Sequence, residues 1–290
     1  MVVPKRLLVP DDQCIVVLDT SPARNLAHVE TLPRWVETFA EMANSGYSFS
    51  LADGALAELL AQRSSGRIPD AGFEQMIAAL ARFLNPSLPV LPTKRDIEQM
   101  IGATDRADGW SEEVFDLSNR GWAALQEAKP ELGARAEASL EEERISWFDL
   151  FGDLEDGWTN LGRPTDLDEL DHPELYKALA AMDRGTTIFP PKSIRCDLQV
   201  RLLWRQFARS KRLKDPYDPA SLKKINDGID FDLYRYLQLP ALVVAEDSGF
   251  FGKIENIPSF QRNWFWKPWV LAEAWVNGDK PLPKWPEVAA

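Results

Sequence analysis

Acidic side chains follow two strand-like runs of this 290-residue chain. Asp19 comes directly after the apolar run C-I-V-V-L at 14–18, and Asp247 comes soon after A-L-V-V-A at 241–245. Y-S-F-S-L at 47–51 is a third short run of this kind. Such runs are typical of strands in a parallel sheet, whose carboxyl edge is where ligands bind in open α/β sheets. Asp19 is therefore a candidate for metal or phosphate chemistry, and capping of the following turn is its other interpretation.

Further carboxylates can reach the same edge. The second strand-to-helix junction carries Asp53 and Glu58, and a helical segment before the last strand carries Asp227, Asp230 and Asp232. On one helix Asp227 and Asp230 share a face, whereas Asp230 and Asp232 point about 200° apart. We expect Asp230 to face the site, with Asp232 as its substitute if the local backbone is not helical.

Carboxylates held together repel one another and raise each other's pKa unless a cation neutralises them. An all-oxygen set of this kind suits Mg²⁺ or Mn²⁺, which keep several waters and use a substrate phosphate as a further ligand. Such a metal activates water and stabilises charge that develops at the phosphorus and the leaving oxygen. The predicted chemistry is phosphodiester hydrolysis.

Composition argues against several other classes of protein. The chain has two Cys and two His, so a disulfide framework, a zinc site and most Ser-His or Cys-His triads are poorly supplied. It contains no apolar run of 18 residues, and its first ten residues lack the long hydrophobic core of a secretory signal. We therefore expect a cytoplasmic protein with no membrane association.

Charge is distributed in modules. The net charge is −12, and residues 105–183 alone contain 21 acidic and seven basic side chains. This segment predicts helices at roughly 93–102, 111–128, 136–151 and 172–182, separated by Gly, Pro and Asp. A helical cap that shapes a cleft is the favoured interpretation, and a docking face for a basic partner is the second.

The charge reverses after this segment. Residues 192–214 hold eight Lys or Arg against one acid, on a helix predicted from Ser193 to about Leu213. Four arginines fall on one face of that helix and form a candidate surface for tracking an RNA backbone: Arg201, Arg205, Arg209 and Arg212. A solvated basic face is the alternative.

Three segments make the chain resemble the PIN-domain nucleases. They are V-L-D-T-S at 17–21, F-S-L-A-D-G-A-L-A-E-L at 49–59 and A-E-D-S-G-F at 245–250, the last similar to the family's T-x-D-x-x-F segment. The interval from Asp230 to Asp247 is close to the one that usually separates the family's third and fourth acids. Ala245 stands where the family usually has Thr or Ser.

The resemblance implies a fold and an activity. The fold would be a three-layer α/β/α sandwich with a central parallel sheet, made by residues 1–92 and 186–262. Residues 93–185 would be an inserted acidic helical subdomain, and the Trp-rich tail 263–290 would pack on the domain rather than stack on bases. The activity would be that of an endoribonuclease, toxin-like or defence-like, with Mg²⁺ or Mn²⁺ held by Asp19, Glu58, Asp230 and Asp247.

Two other functions stay open at this stage. A PIN-like scaffold that binds protein partners is favoured by Ala245 and by the negative charge. A haloacid-dehalogenase-like phosphatase would need a second Asp two residues after Asp19, where this chain has Ser21. RNA is the expected partner ahead of DNA, while an inhibitor or partner protein and a homo-oligomer are left open.

Overall fold

Four short parallel strands form the sheet of the computed structural model, which describes residues 7–91, 96–127, 129–164, 166–184, 188–221, 224 and 226–286. In the order β2-β1-β3-β4, the strands are β1 (Cys14–Leu18), β2 (Tyr47–Leu51), β3 (Ala241–Val244) and β4 (Phe265–Trp266). Every residue of β1, β2 and β3 is buried, as expected for a sheet covered on both faces. The prediction of an α/β chain with a parallel sheet is confirmed.

The three longer strands end at the same edge. Leu18 lies opposite Leu51 on one side and Val244 on the other. The N–H of Asp19 donates to the carbonyl of Val244 at 2.9 Å, and the N–H of Ala52 donates to the carbonyl of Leu18 at 3.0 Å. The residues that follow β1, β2 and β3 therefore emerge side by side.

Two α-helices follow each of the first two strands. They are α1 (Thr20–Asn25), α2 (Trp35–Ala43), α3 (Asp53–Ser64) and α4 (Asp70–Leu80). Helix α1 begins directly after Asp19, and α3 begins two residues after Leu51. Both helices thus start at the carboxyl edge of the sheet.

The acidic middle of the chain is helical, as the sequence predicts. It contains α5 (Ile97–Met100), α6 (Trp110–Glu127), α7 (Pro130–Asn160) and α8 (Pro173–Met182). Helix α7 is much longer than the predicted 136–151, and Trp147 and Phe151 on it belong to the same hydrophobic cluster as the strands. Predicted helical residues 93–95 and 128 lie outside the described residues. The proposed domain boundaries stay predictions.

Although α7 runs for 31 residues, none of the helices in the described part of the chain has the length and apolar character needed to cross a bilayer.

The long helix predicted from Ser193 to Leu213 is instead two helices, α9 (Lys192–Arg195) and α10 (Asp197–Ser210). The side chain of Gln261, fully buried, is placed at the break. Its Nε2 donates to the carbonyl of Arg195 at 2.9 Å, and its Oε1 accepts from the N–H of Leu198 at 2.9 Å. The distant glutamine supplies hydrogen bonds to the backbone at the interruption, which local sequence could not indicate.

The remaining elements are three helices and the edge strand β4, which places part of the C-terminal tail in the sheet. They are α11 (Asp227–Leu233), α12 (Ser248–Ile254) and α13 (Pro268–Val276), with β4 between the last two. The sequence did not predict β4, because two residues are too few to show an alternating pattern. Trp264 is buried beside β4, and the ring of Trp285 meets it edge-on at 5.0 Å between centroids.

Helix α11 approaches α7 closely at Gly228. A Cβ at this position would lie 2.7 Å from the Cβ of Trp147 and 3.1 Å from the carbonyl oxygen of Glu143. A glycine therefore sets the distance between α7 and the helix that carries Asp227 and Asp230.

We expect Gly228→Ala to lower the free energy of unfolding by about 2 kcal/mol, because the added methyl overpacks a helix contact. Gly152→Ala, on α7 with no atom within 4 Å of its added Cβ, is the matched control. It should be neutral or stabilising by up to about 1 kcal/mol, since alanine is the better helix former. Urea unfolding curves measure both, and equal losses would contradict the close contact.

Candidate active site

Asp19 lies at the edge of the sheet and also caps α1. Its Oδ2 accepts from the N–H of Ser21 at 3.3 Å and from the Ser21 hydroxyl at 2.7 Å. The capping interpretation of Asp19 is thus confirmed. A hydrogen bond from the backbone of Thr20 also acts on this carboxylate and lowers its pKa against the effect of burial. These bonds orient the Asp19 side chain at the edge of the sheet.

Glu58 and Asp53, both on α3, have different partners near Asp19. Glu58 accepts from the Thr20 hydroxyl through Oε2 and from Asn226 Nδ2 at 3.3 Å through Oε1, and the charge of Asp19 acts on it. Asp53 accepts from the hydroxyl of Tyr236 at 2.6 Å and lines a small pocket together with Asp19. These contacts favour Glu58 as the acid coupled to Asp19.

Asp230 lies on α11 beside a basic group that the sequence analysis did not identify. The ammonium of Lys253, on α12, bonds both to Asp230 Oδ2 and to Asp227 Oδ1, the latter at 2.8 Å. Asp227 and Asp230 therefore share a helix face, as predicted. Asp232 forms an ion pair with Arg235 at 3.0 Å and borders a small pocket that Asp19 also lines.

Electrostatics link the carboxylates into one cluster. Burial, and then the charges of Asp19 and Asp230, raise the pKa of Glu58 to about 7 against the opposing hydrogen bond from Thr20. Burial and the charge of Asp19 raise the pKa of Asp230 to about 6, although Lys253 opposes this rise. Burial also raises the pKa of Asp19, and the charge of Asp247 adds to it. At neutral pH the cluster therefore retains part of its protons.

Lys253 is held charged within this cluster. Burial alone would lower the pKa of its ammonium, but the charges of Asp230 and Asp227 raise it on balance. It lies in the last turn of α12, six residues or about one and two-thirds helical turns after Asp247. No sequence pattern indicated Lys253, because its partners Asp227 and Asp230 lie on a different helix.

Asp247 occupies the start of α12. Its Oδ1 accepts from the N–H of Gly249 at 2.8 Å, so it caps the helix. Next to it, Glu246 accepts from Asn25, and the N–H of Glu246 donates to the Ser21 hydroxyl at 2.8 Å. The Ser21 hydroxyl thus joins the ends of β1 and β3.

A hydrogen-bonded chain connects the middle of the protein to the cluster. Trp147 Nε1 on α7 donates to the Tyr217 hydroxyl at 3.1 Å, and that hydroxyl donates to Asp227 Oδ2 at 2.9 Å. Asp227 bonds in turn to Lys253. Sequence reasoning missed both aromatic residues, because Trp147 and Tyr217 are 70 residues apart in the chain and no local pattern indicates that they meet.

The donor chemistry of Asp19, Glu58 and Asp230 fits Mg²⁺ or Mn²⁺, since all the oxygens are carboxylate oxygens. In the arrangement described, Thr20 and Lys253 bond to oxygens of Glu58 and Asp230. Within the described ranges, no group of three His, Cys, Asp or Glu side chains is spaced to hold a metal ion.

Three arginines of the predicted surface have carboxylate partners within the protein. Arg201 pairs with Asp197 at 2.7 Å, and Arg209 pairs with Glu169 at 2.9 Å. Arg212 also bonds to Glu169. Carboxylates of α10 and of the acidic middle segment thus offset these charges, and contact of this surface with RNA stays a prediction.

Arg205, the fourth member of the predicted stripe, is buried. Its Nη1 donates to the carbonyl of Lys253 at 2.9 Å and to that of Glu255 at 2.6 Å. These carbonyls lie at the end of α12, where a guanidinium satisfies orphan acceptors. Arg205 therefore positions the helix that carries Lys253, rather than facing solvent.

From pH 4.5 to pH 8 we expect the free energy of unfolding of the unmodified protein to fall by about 2 to 3 kcal/mol relative to that of Glu58→Gln. The folded-state pKa of Glu58, about 7, lies above its ordinary value of 4.5. The unmodified protein therefore loses stability as the pH rises through this interval, and the glutamine variant does not. Urea unfolding in EDTA across this range measures the difference. Glu137→Gln on the exposed side of α7 is the control, and an identical pH profile for both variants would contradict the shift.

Comparison with known proteins gives no relative from which a role could be transferred. No family model matches the chain, and neither a curated protein nor a solved structure matches it. What the site does must be inferred from its own side chains: a half-buried carboxylate cluster at the carboxyl edge of a parallel sheet, with one lysine set among the acids.

Proposed function

We propose that this chain is a metal-dependent endoribonuclease that hydrolyses RNA phosphodiester bonds with Mg²⁺ or Mn²⁺. One observation carries the proposal: Asp19, Glu58 and Asp230, from three separate elements, lie close enough together that the charge of Asp19 raises the pKa of both Glu58 and Asp230. Perturbed carboxylates at the ligand-binding edge of an α/β sheet are typical of functional sites.

Each side chain has a role that follows from its contacts. Ser21 orients the carboxylate of Asp19, Thr20 orients Glu58, and the ion pair with Lys253 orients Asp230. Asp247, at the rim, adds negative charge beside Asp19. A bound Mg²⁺ or Mn²⁺ would activate water and stabilise the charge that develops on the phosphate. Glu58 and Asp230 must lose their protons when the cation enters, so cation affinity should increase with pH.

The finer assignments belong to the same proposal. The parallel sheet and the order of the acids support a PIN-like three-layer sandwich, with residues 93–185 as its insertion and residues 263–290 packed on it. We propose RNA ahead of DNA as substrate, a cytoplasmic location, and a toxin-like or defence-like role. The arginine surface contributes no support, because three of its arginines pair with carboxylates and Arg205 is buried against backbone carbonyls.

With Mn²⁺, the purified protein should cleave a panel of single-stranded and structured RNAs. Asp19→Asn and Asp230→Asn should each lower the cleavage rate at least about a hundredfold, since each removes a carboxylate that offsets cation charge. Asp232→Asn, on the same helix but paired with Arg235, should keep most of the activity. Gel-resolved initial rates measure all of them.

EDTA is the control for metal dependence. Glu137→Gln, on the exposed side of α7, is the control for effects of substitution and purification that do not involve the site. Cleavage that persists in EDTA, or at the full rate in Asp19→Asn, would reject the nuclease assignment. A loss of activity in Asp232→Asn alone would move the third acid from Asp230 to Asp232.

A second candidate function is a catalytically weak scaffold with a PIN-like fold. Lys253 favours it, because an ammonium already neutralises Asp227 and Asp230 in the position where a cation would otherwise be needed. In this account the acids and the lysine form a structural ion-pair network, and the acidic middle segment binds protein partners.

Titration with Mn²⁺ in a thermal unfolding assay separates the two functions. The nuclease proposal predicts that free Mn²⁺ at a hundred times its Kd stabilises the unmodified protein by about 2.7 kcal/mol. Asp19→Asn should lose this stabilisation, and Glu137→Gln should retain it. If Mn²⁺ gives no upward shift in any of the three proteins, the scaffold is the better account.

A further inference from the structure

A cavity of about 660 Å³ lies at the sheet edge opposite the candidate active site. Cys14, the first residue of β1, and Pro240, directly before β3, line its floor. Apolar and aromatic side chains form much of the remaining wall: Ile101, Phe189, Leu282 and Trp285. Its volume is in the range of sites that enclose small molecules.

A buried arginine faces this cavity without a carboxylate partner. Arg195 lines the cavity and is only 2% exposed. Its Nε donates to the carbonyl of Pro190 at 3.2 Å, and its Nη1 donates to Gln238 Oε1 at 3.4 Å. Throughout the described part of the chain, no Asp or Glu forms an ion pair with it. A buried guanidinium held only by neutral oxygens retains an uncompensated charge.

The two acids whose charges act on Arg195 already have other partners. Glu98 pairs with Lys192 at 2.7 Å, and Asp183 accepts from the N–H of Ser193 at 2.8 Å. Both raise the pKa of Arg195, but burial outweighs them and lowers it. The compensating anion is therefore not supplied by these neighbours.

Two N–H donors border the cavity together. Gln238 accepts from Arg195 through its Oε1, which leaves the Nε2 of the same amide as a second donor. Neither Gln238 Nε2 nor Arg195 Nη2 is hydrogen-bonded to a residue among those described. Two neighbouring donors, one of them charged, match the two oxygens of a carboxylate.

We propose that this cavity binds a small monocarboxylate, whose head group meets Arg195 and Gln238 and whose apolar body lies against the wall that includes Trp285. Asp11, Asp12 and Lys284 also line the cavity, and a phosphate is the alternative anion for the same two donors. The proposed site is separate from the carboxylate cluster and does not depend on nuclease activity.

The test is isothermal titration calorimetry of the full chain with hexanoate, 4-phenylbutyrate and indole-3-acetate. Each acid is paired with its uncharged amide, and 3-phenylpropyl phosphate tests the phosphate alternative. We expect at least one acid to bind, and its amide and the phosphate to bind at least tenfold more weakly. No heat from any acid at 10 mM, or an amide or phosphate that binds as tightly as the acid, would overturn the proposal.

Gln238→Glu is the most informative variant, because it supplies the missing carboxylate from within the protein. It should raise the unfolding temperature by pairing with Arg195, and it should weaken binding of the acid at least tenfold. Arg195→Gln should also weaken binding at least tenfold. Arg205→Gln, which removes another buried arginine that does not line the cavity, should leave the Kd within twofold. Unchanged binding in Gln238→Glu would overturn the proposal even if Arg195→Gln failed to fold.

Discussion

Repulsion among half-buried carboxylates is the constraint on which this structure depends. The parallel register delivers Asp19 to one edge of the sheet, and the neighbouring helices bring Glu58 and Asp230 to it. Left without a counter-charge, such a cluster would be strongly destabilising. Lys253 offsets part of the charge by bonding to Asp230 and Asp227, and raised pKa values in Glu58 and Asp230 offset more. Both the nuclease and the scaffold accounts start from this balance.

The surrounding elements hold that balance in place. Helix α7 approaches α11 at Gly228 and reaches Asp227 through Tyr217, so the acidic middle segment helps to position the cluster. On the other side Arg205 binds the carbonyls at the end of α12. The basic helix face, which the sequence suggested for RNA, thus has a structural role, and Lys253 depends on it for its position.

Short-range sequence patterns predicted many of the strands and helices, but they could not indicate the contacts between distant segments. Apolar runs ending in acids placed three strands correctly, and the helical spacing of Asp227 and Asp230 predicted their common face. The break at Cys196 depends on Gln261, about 65 residues away in the chain, which no periodicity encodes. The pairing of Arg209 with Glu169 likewise joins distant segments, so an isolated helix pattern overstated its exposure. Metal binding, domain boundaries and substrate stay predictions.

The most direct measurement of the central claim is the pKa of Glu58, followed by carboxyl ¹³C NMR across the pH range in EDTA. The account predicts a value of about 7 in the unmodified protein and a clear decrease in Asp19→Asn, where a neighbouring negative charge is removed. A Glu58 carboxyl that titrates near its ordinary value of 4.5, or one that ignores the Asp19 substitution, would show that these acids do not form one coupled cluster.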